Sequence, residues 1–264
     1  MRPSYPPDTL NYAHDFGGVR TRLMLWLGLG LLVLFAATLG GFTGFGTAAL
    51  LLPVLSMVLG THSAVPTLGL AMVFANASRV VFSWRSIDWK VVLTYSVCAV
   101  PASLIGALMF VRFELHWVNL ALAIFILLLV PLRRVAARSR IQMRLPYFAP
   151  LGAAVGVVSG IGGATGPATA PFILSYGLVG PAYLGTDGFD STLVHGSKTV
   201  MYAINGSLTH RDAVLGVGCG LIMVLGSYLG RRIVDRVAPH AYVNAIEILL
   251  VVLGICMLVQ AVLK

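Results

Sequence analysis

Residues 23–78 read LMLWLGLGLLVLFAATLGGFTGFGTAALLLPVLSMVLGTHSAVPTLGLAMVFANAS, without one Asp, Glu, Lys or Arg. A membrane helix needs about 20 apolar residues to cross the hydrocarbon core, so this run must hold more than one crossing. Leu145–Thr186 is a second clean run, and shorter ones cover Val91–Val111, Leu115–Leu132, Ala213–Gly230 and Ile248–Leu263. Strands of a lipid-facing barrel alternate at period two, and these runs do not. The expected fold is an all-α polytopic membrane protein.

Composition points the same way. Charged residues make up 10% of the chain, against roughly 25% in soluble domains, and mean hydropathy is +0.91. The formal charge of +9 does not imply nucleic acid, because the basic residues lie next to apolar runs, where the positive-inside bias accounts for them. Cys98, Cys219 and Cys256 sit within apolar runs as small packing residues, with no disulfide framework or CxxC spacing. There is no GxxxxGK[ST] sequence, no HExxH and no catalytic carboxylate pair. No enzyme activity, cofactor or metal is implied. The expected partners are the bilayer and a small solute, and a homodimer is compatible with the sequence.

Breaks in the apolar pattern give eight to ten hydrophobic segments, the number depending on whether the short ones cross. They lie at roughly 23–40, 46–60, 64–84, 90–110 and 116–133, then 147–161, 165–179, 183–205, 212–231 and 241–262. The organisation expected is a polar leader at 1–22, a first transmembrane repeat at 23–133, a basic cytoplasmic loop at 134–146 and a second repeat at 147–264. Arg133, Arg134, Arg138, Arg140 and Arg144, with no acid among them, mark the middle as cytoplasmic.

The halves correspond residue by residue. Gly44-Phe45-Gly46-Thr47 with Pro53 matches Gly162-Gly163-Ala164-Thr165 with Pro171, and Ser78-Arg79 matches Ser197-Lys198. Ser103-Leu104-Ile105-Gly106 matches Ser227-Tyr228-Leu229-Gly230, and Val118-Asn119 matches Val243-Asn244. Such duplication is common in secondary transporters. If the two short segments heading each half both cross, or neither does, the second half is inverted relative to the first. The central loop, Arg85–Lys90 and Arg231–Arg236 then share the cytoplasmic side, as the charge rule asks. If those segments form one interrupted span, the halves are parallel. Inversion is the expectation.

Two constellations carry candidate chemistry. The first is the pair of glycine-rich breaks, with Thr43, Gly44, Gly46 and Thr47 in one and Gly162, Gly163 and Thr165 in the other. Clustered glycines permit positive φ, and the new helix after each break offers unpaired N–H donors and a partial positive charge to an anion. The blander reading is that these glycines only let helices pack closely. The second is Arg79 and Lys198, cations deep within apolar segments, where a charge is costly and so usually functional. The alternative for Arg79 is snorkelling to the interface beside Arg85. Asn76, His195 and Asn205 are polar neighbours that could complete such a site, His195 also reading as a hydrogen-bonded structural histidine. Asp187 and Asp190 are weak candidates for ion or proton coupling, an interfacial helix start being the simpler reading; Glu247 is another.

The paired breaks followed by Pro53 and Pro171, Lys198 in the second-half helix and the arginine-rich middle resemble the TauE/SafE sulfite-exporter family. The likeness runs from about Leu23 onward, with Phe45, Thr47 and Ala48 standing where the first break is commonly richer in glycine. The resemblance implies a bacterial inner-membrane permease for sulfite, an organosulfonate or another small anion.

Overall fold

The computed structural model describes residues 19–112, 143–161, 166–238, 240–246 and 248, and every regular element among them is helical. The helices are α1 (Val19–Thr43), α2 (Thr47–Leu59), α3 (Thr61–Ser83), α4 (Trp89–Arg112), α5 (Phe148–Gly160), α6 (Gly166–Ser175), α7 (Pro181–Ile204) and α8 (His210–Val234), followed by α9 (240–246). They fall on the expected apolar segments. Residues 1–18 of the leader, the segment at 116–133, Arg133, Arg134, Arg138, Arg140, Glu247 and most of 241–262 lie outside the described residues, and residues 19–22 of the leader belong to α1.

Local chemistry sets several helix starts. The Asp88 carboxylate accepts from the N–H groups of Lys90 and Val91 at 3.0 and 3.2 Å, closing the start of α4. Pro181 begins α7 with its preset φ. Thr209 and Asp212 form a reciprocal capping box at the start of α8.

Four stretches are long and apolar enough to cross a membrane: Met24–Thr43, Thr61–Ser86, Trp89–Arg112 and His210–Val234. α7, at 24 residues, spans about 36 Å and also exceeds the hydrocarbon thickness, but it carries a buried polar face. α2 and α5, 13 residues each, reach only about 20 Å. Neither covers the core alone.

α8 shows how one sequence serves lipid and protein together. Val214, Leu221, Leu225, Leu229 and Ile233 face outward, while Gly216, Gly220, Gly226, Ser227 and Gly230 are buried along the opposite stripe. Small residues on that stripe let backbones approach closely. A Cβ on Gly226 would strike Ala37, and one on Gly230 would strike the backbone of Thr38 and Phe42, so α8 runs parallel to α1 in close contact. α5 lies on α4 in the same manner: a Cβ on Gly156 would meet Ala99 and Ala102, and one on Gly160 would meet Ser103 and Ala107. The first helix of each half is thus seated on the fourth helix of the other.

α3 and α7 meet centrally and run antiparallel. Gly69 of α3 faces Lys198, Thr199 and Tyr202, whereas Gly188 of α7 faces Asn76, Arg79 and Val80. Gly69 and Gly188 are separated in sequence as Arg79 and Lys198 are, so each glycine opposes the other helix's cation. Phe82 at the end of α3 packs on Tyr228 near the end of α8, with ring centroids 5.6 Å apart. Trp84, Trp89 and Phe189 stack beside Arg85 and Lys90. Arg85, Lys90, Arg231, Arg232 and Arg236 therefore gather at one end of the molecule, behind an aromatic layer of the kind found at membrane interfaces.

Gly230→Ala should lower the unfolding free energy by about 1–3 kcal/mol, through overpacking against α1. Gly218→Ala in the same helix has open space around the added Cβ and should be neutral or slightly stabilising. Thermal unfolding of the two variants in detergent checks the difference.

Candidate functional site

The first break begins where α1 ends. Gly44 and Gly46 have φ of 84° and 97°, in the left-handed region that side-chain-bearing residues avoid. The Thr43 hydroxyl sits against the carbonyls of Leu39 and Phe45 at 2.8 and 2.7 Å, and the N–H of Phe45 donates to it at 3.4 Å. Thr47 donates to the Ala36 carbonyl at 3.1 Å. Both hydroxyls therefore brace the break internally. No side chain caps Gly46 at the start of α2. Gly41 meets Ser227, so this glycine serves close helix contact, as does Gly160 in the second half. A left-handed turn thus accounts for one subset of these glycines and close helix packing for another.

Gly162, Gly163 and Thr165 of the second break lie outside the described residues, but both flanks are visible. α5 ends at Gly160, whose carbonyl accepts from the Tyr202 hydroxyl at 2.5 Å. A Cβ on Gly166, at the start of α6, would run into Phe45. The first break therefore packs against the far flank of the second.

The two sequence-matched cations each reach a carbonyl at the end of a helix, α1 for Arg79 and α5 for Lys198. Arg79 donates from Nη1 to the Gly44 carbonyl at 2.5 Å. Lys198 donates from Nζ to the Ser159 carbonyl at 2.8 Å, with the Ser159 hydroxyl at 3.3 Å. At 4% and 3% exposure, neither side chain snorkels to the interface. Positive charge is favourable at a helix C-terminus, where carbonyls lack intrahelical donors. Asn76, fully buried, turns its Oδ1 to Arg79, and its Nδ2 finds no partner. Asn205 is exposed at the end of α7 and bonds only to Met201.

α7 presents Asp187, the adjacent Asp190 and Ser191, His195, Lys198 and Tyr202 in successive steps of three to four residues, hence along one face. Asp187 and Asp190 do not sit at an interfacial helix start. They lie in the second and third turns after Pro181, and are 2% and 4% exposed. Asp187 pairs with Arg79 across 3.2 Å and accepts from the Thr169 hydroxyl at 3.1 Å. Asp190 accepts from the Ser96 hydroxyl at 2.7 Å. Tyr95, Thr169, Ile173, Asp187, Asp190, Ser191, Val194 and His195 enclose a cavity of about 10 Å³, room for roughly one water. His195 is buried on this cavity and its Nδ1 has no partner.

The charges are unevenly matched. Arg79 has a carboxylate beside it, whereas no carboxylate among the described residues lies within ion-pair distance of Lys198. Thr169, Ser96 and Tyr95 were not among the residues singled out from sequence. The signal that leads to them is the periodic polar face of α7, which any packed neighbour has to satisfy.

A model of the family described as Sulfite exporter TauE/SafE matches residues 12–257 of this chain. No curated protein and no solved structure matches it significantly.

Thr43→Val leaves the Phe45 carbonyl without its donor, and should destabilise the protein by about 1–3 kcal/mol. Thr38→Val removes only a bond to the Leu34 carbonyl one turn back in the same helix and should change little. Urea or thermal unfolding of both variants in detergent compares them.

Proposed function

This chain belongs to the TauE/SafE sulfite exporter family, a family of multi-pass membrane transporters, and from that premise we propose that it is a secondary transporter of a small anion. Sulfite or an organosulfonate is the substrate class, moved by alternating access across a bacterial inner membrane. The observation that carries this reading is Lys198, a buried ammonium whose described partners are neutral groups of Ser159. A buried cation without a counter-charge is costly, and a bound anion relieves that cost. Arg79, its repeat partner, supplies the second fixed charge. Asn76 offers an unpartnered amide, and the uncapped start of α2 at Gly46 offers backbone donors. Thr43, Gly44 and Thr47 hold that start in place, and Gly162, Gly163 and Thr165 are their sequence counterparts in the second half.

We further propose that the repeats at 23–133 and 147–264 are inverted about an axis in the membrane plane. The antiparallel meeting of α3 with α7, each glycine opposing the other helix's cation, supports this, as does the gathering of both basic helix ends at one pole. That pole is then cytoplasmic. On this reading α2, α5 and α6 are half-spans that line the site from either side, as broken helices do in inverted-repeat transporters. A negative-inside potential assists export of an anion and opposes its import, so import needs a coupled cation.

Sulfite flux in proteoliposomes tests the site. Lys198→Gln and Arg79→Gln should each weaken apparent affinity by about 10- to 100-fold, the equivalent of a lost charge-assisted hydrogen bond. Unchanged flux in both variants overturns the assignment. Flux that neither saturates nor supports counterflow identifies a channel, and absence of thermal stabilisation by any of a panel of small anions identifies a non-transporting membrane subunit.

Reporters fused after Lys90 and after His210 test the topology. Inversion requires them on opposite sides of the membrane; a shared side overturns it.

A further inference from the structure

Resting on the anion-site reading above, we propose that Asp187 is a built-in counter-anion that competes with the substrate for Arg79, so that each anion bound brings one proton onto the Asp187 carboxyl. Both terminal nitrogens of the guanidinium are already engaged. Nη1 serves the Gly44 carbonyl at 2.5 Å and Asp187 Oδ2 at 3.2 Å, while Nη2 serves Asn76. Of these partners only the Asp187 carboxylate carries negative charge and is free of the backbone. A small oxyanion that reaches Arg79 therefore takes the place of Asp187.

The displaced carboxylate has few other supports. Its Oδ1 keeps the Thr169 hydroxyl, but its Oδ2 has no hydrogen-bond partner beyond the ion pair. A carboxylate stripped of its cation in a low-dielectric interior is neutralised by taking a proton. Its surroundings reinforce that outcome. Asp190 stands one turn along α7 on the same cavity and brings no positive charge, and Tyr95 of α4 faces both carboxyls. Tyr183 and Tyr242 lie within electrostatic reach of Asp187 and Arg79 and bring no compensating positive charge. Lys198 is held two or three turns further along by Ser159. From α6 the Thr169 hydroxyl reaches Asp187.

The proton also has a place to come from. The cavity shared by Asp187, Asp190 and His195 has room for about one water. His195 lines it with a buried, unpartnered ring nitrogen, which can accept or pass a proton. The proton moves from solvent to the Asp187 carboxyl and returns when Arg79 recovers its partner, so anion and proton cross together.

The experiment counts protons on purified full-length protein in weakly buffered detergent solution containing a pH dye. Methanesulfonate serves as one probe because it carries no titratable proton near neutral pH. Sulfite serves as the second, with its own protons cancelled in the difference between wild type and Asp187→Asn. Wild type should take up about one proton per methanesulfonate bound. Asp187→Asn should take up none and bind roughly tenfold more tightly, its internal competitor being gone. Asp187→Glu should restore the uptake, and the wild-type count stands even if Asp187→Asn fails to fold. Binding without proton uptake overturns the proposal. So does uptake that survives Asp187→Asn but is lost in Asp190→Asn. Failure of both anions to stabilise the protein thermally overturns the anion site itself, and the coupling with it.

Discussion

A helix interrupted inside hydrocarbon leaves carbonyls with no water to bond, each costing several kcal/mol if left unmatched. In this protein the ends of α1 and α5 are met by Arg79 and Lys198, from the two helices that cross at the centre. Those bonds fix where α3 and α7 stand relative to the breaks. The buried cations are held by those carbonyls, and the carbonyls are satisfied by the cations. Removing either member leaves the other as an uncompensated polar group in the interior.

The glycine seams decide what can move around that centre. Because α1 is seated on α8 and α4 on α5 through contacts that admit no Cβ, neither sequence half is a body of its own. A rigid unit has to keep α1 with α8 and α5 with α4, mixing the repeats. On the alternating access proposed above, the joint between two such units is the crossing of α3 and α7. There Arg79 pairs with Asp187, while Gly185 and Gly188 also bring α7 close to the backbone of α3. Ion pairs and hydrogen bonds can be exchanged for equivalents with a ligand, whereas close-packed backbone cannot be parted without loss of contact energy.

Much of this was legible before any coordinates. Uncharged run length fixed the helices, and the register of Ser78-Arg79 with Ser197-Lys198 singled out the two cations that the helices bring to the breaks. The glycines were only half legible. Gly41 and Gly160 belong to helix contacts while Gly44 and Gly46 carry the turn, and composition is the same for both uses, since only φ separates them. The threonine hydroxyls pointed toward a ligand in sequence but bond to nearby carbonyls, because a break supplies acceptors closer than any solute. Asp187 and Asp190 were misread as an interfacial start because an acid near a segment boundary suits that role. What distinguishes them is that Asp187, Asp190, His195 and Lys198 fall on one stripe, and a boundary role needs no such continuation.

Charge conservation then constrains how the centre works. With all four groups ionised, Arg79 and Lys198 balance Asp187 and Asp190 in sum, yet only Arg79 and Asp187 are in contact. Lys198 and Asp190 are each satisfied by serine dipoles instead. An anion that takes the place of Asp187 on Arg79 leaves that carboxylate without its cation, in a medium that penalises the charge heavily. The nearest relief is neutralisation of a carboxyl, and the carboxyl that loses a partner to the incoming anion is the one least able to stay ionised. Binding and protonation are then two descriptions of a single exchange at Arg79, made necessary by the low dielectric that the lipid-facing helices enforce.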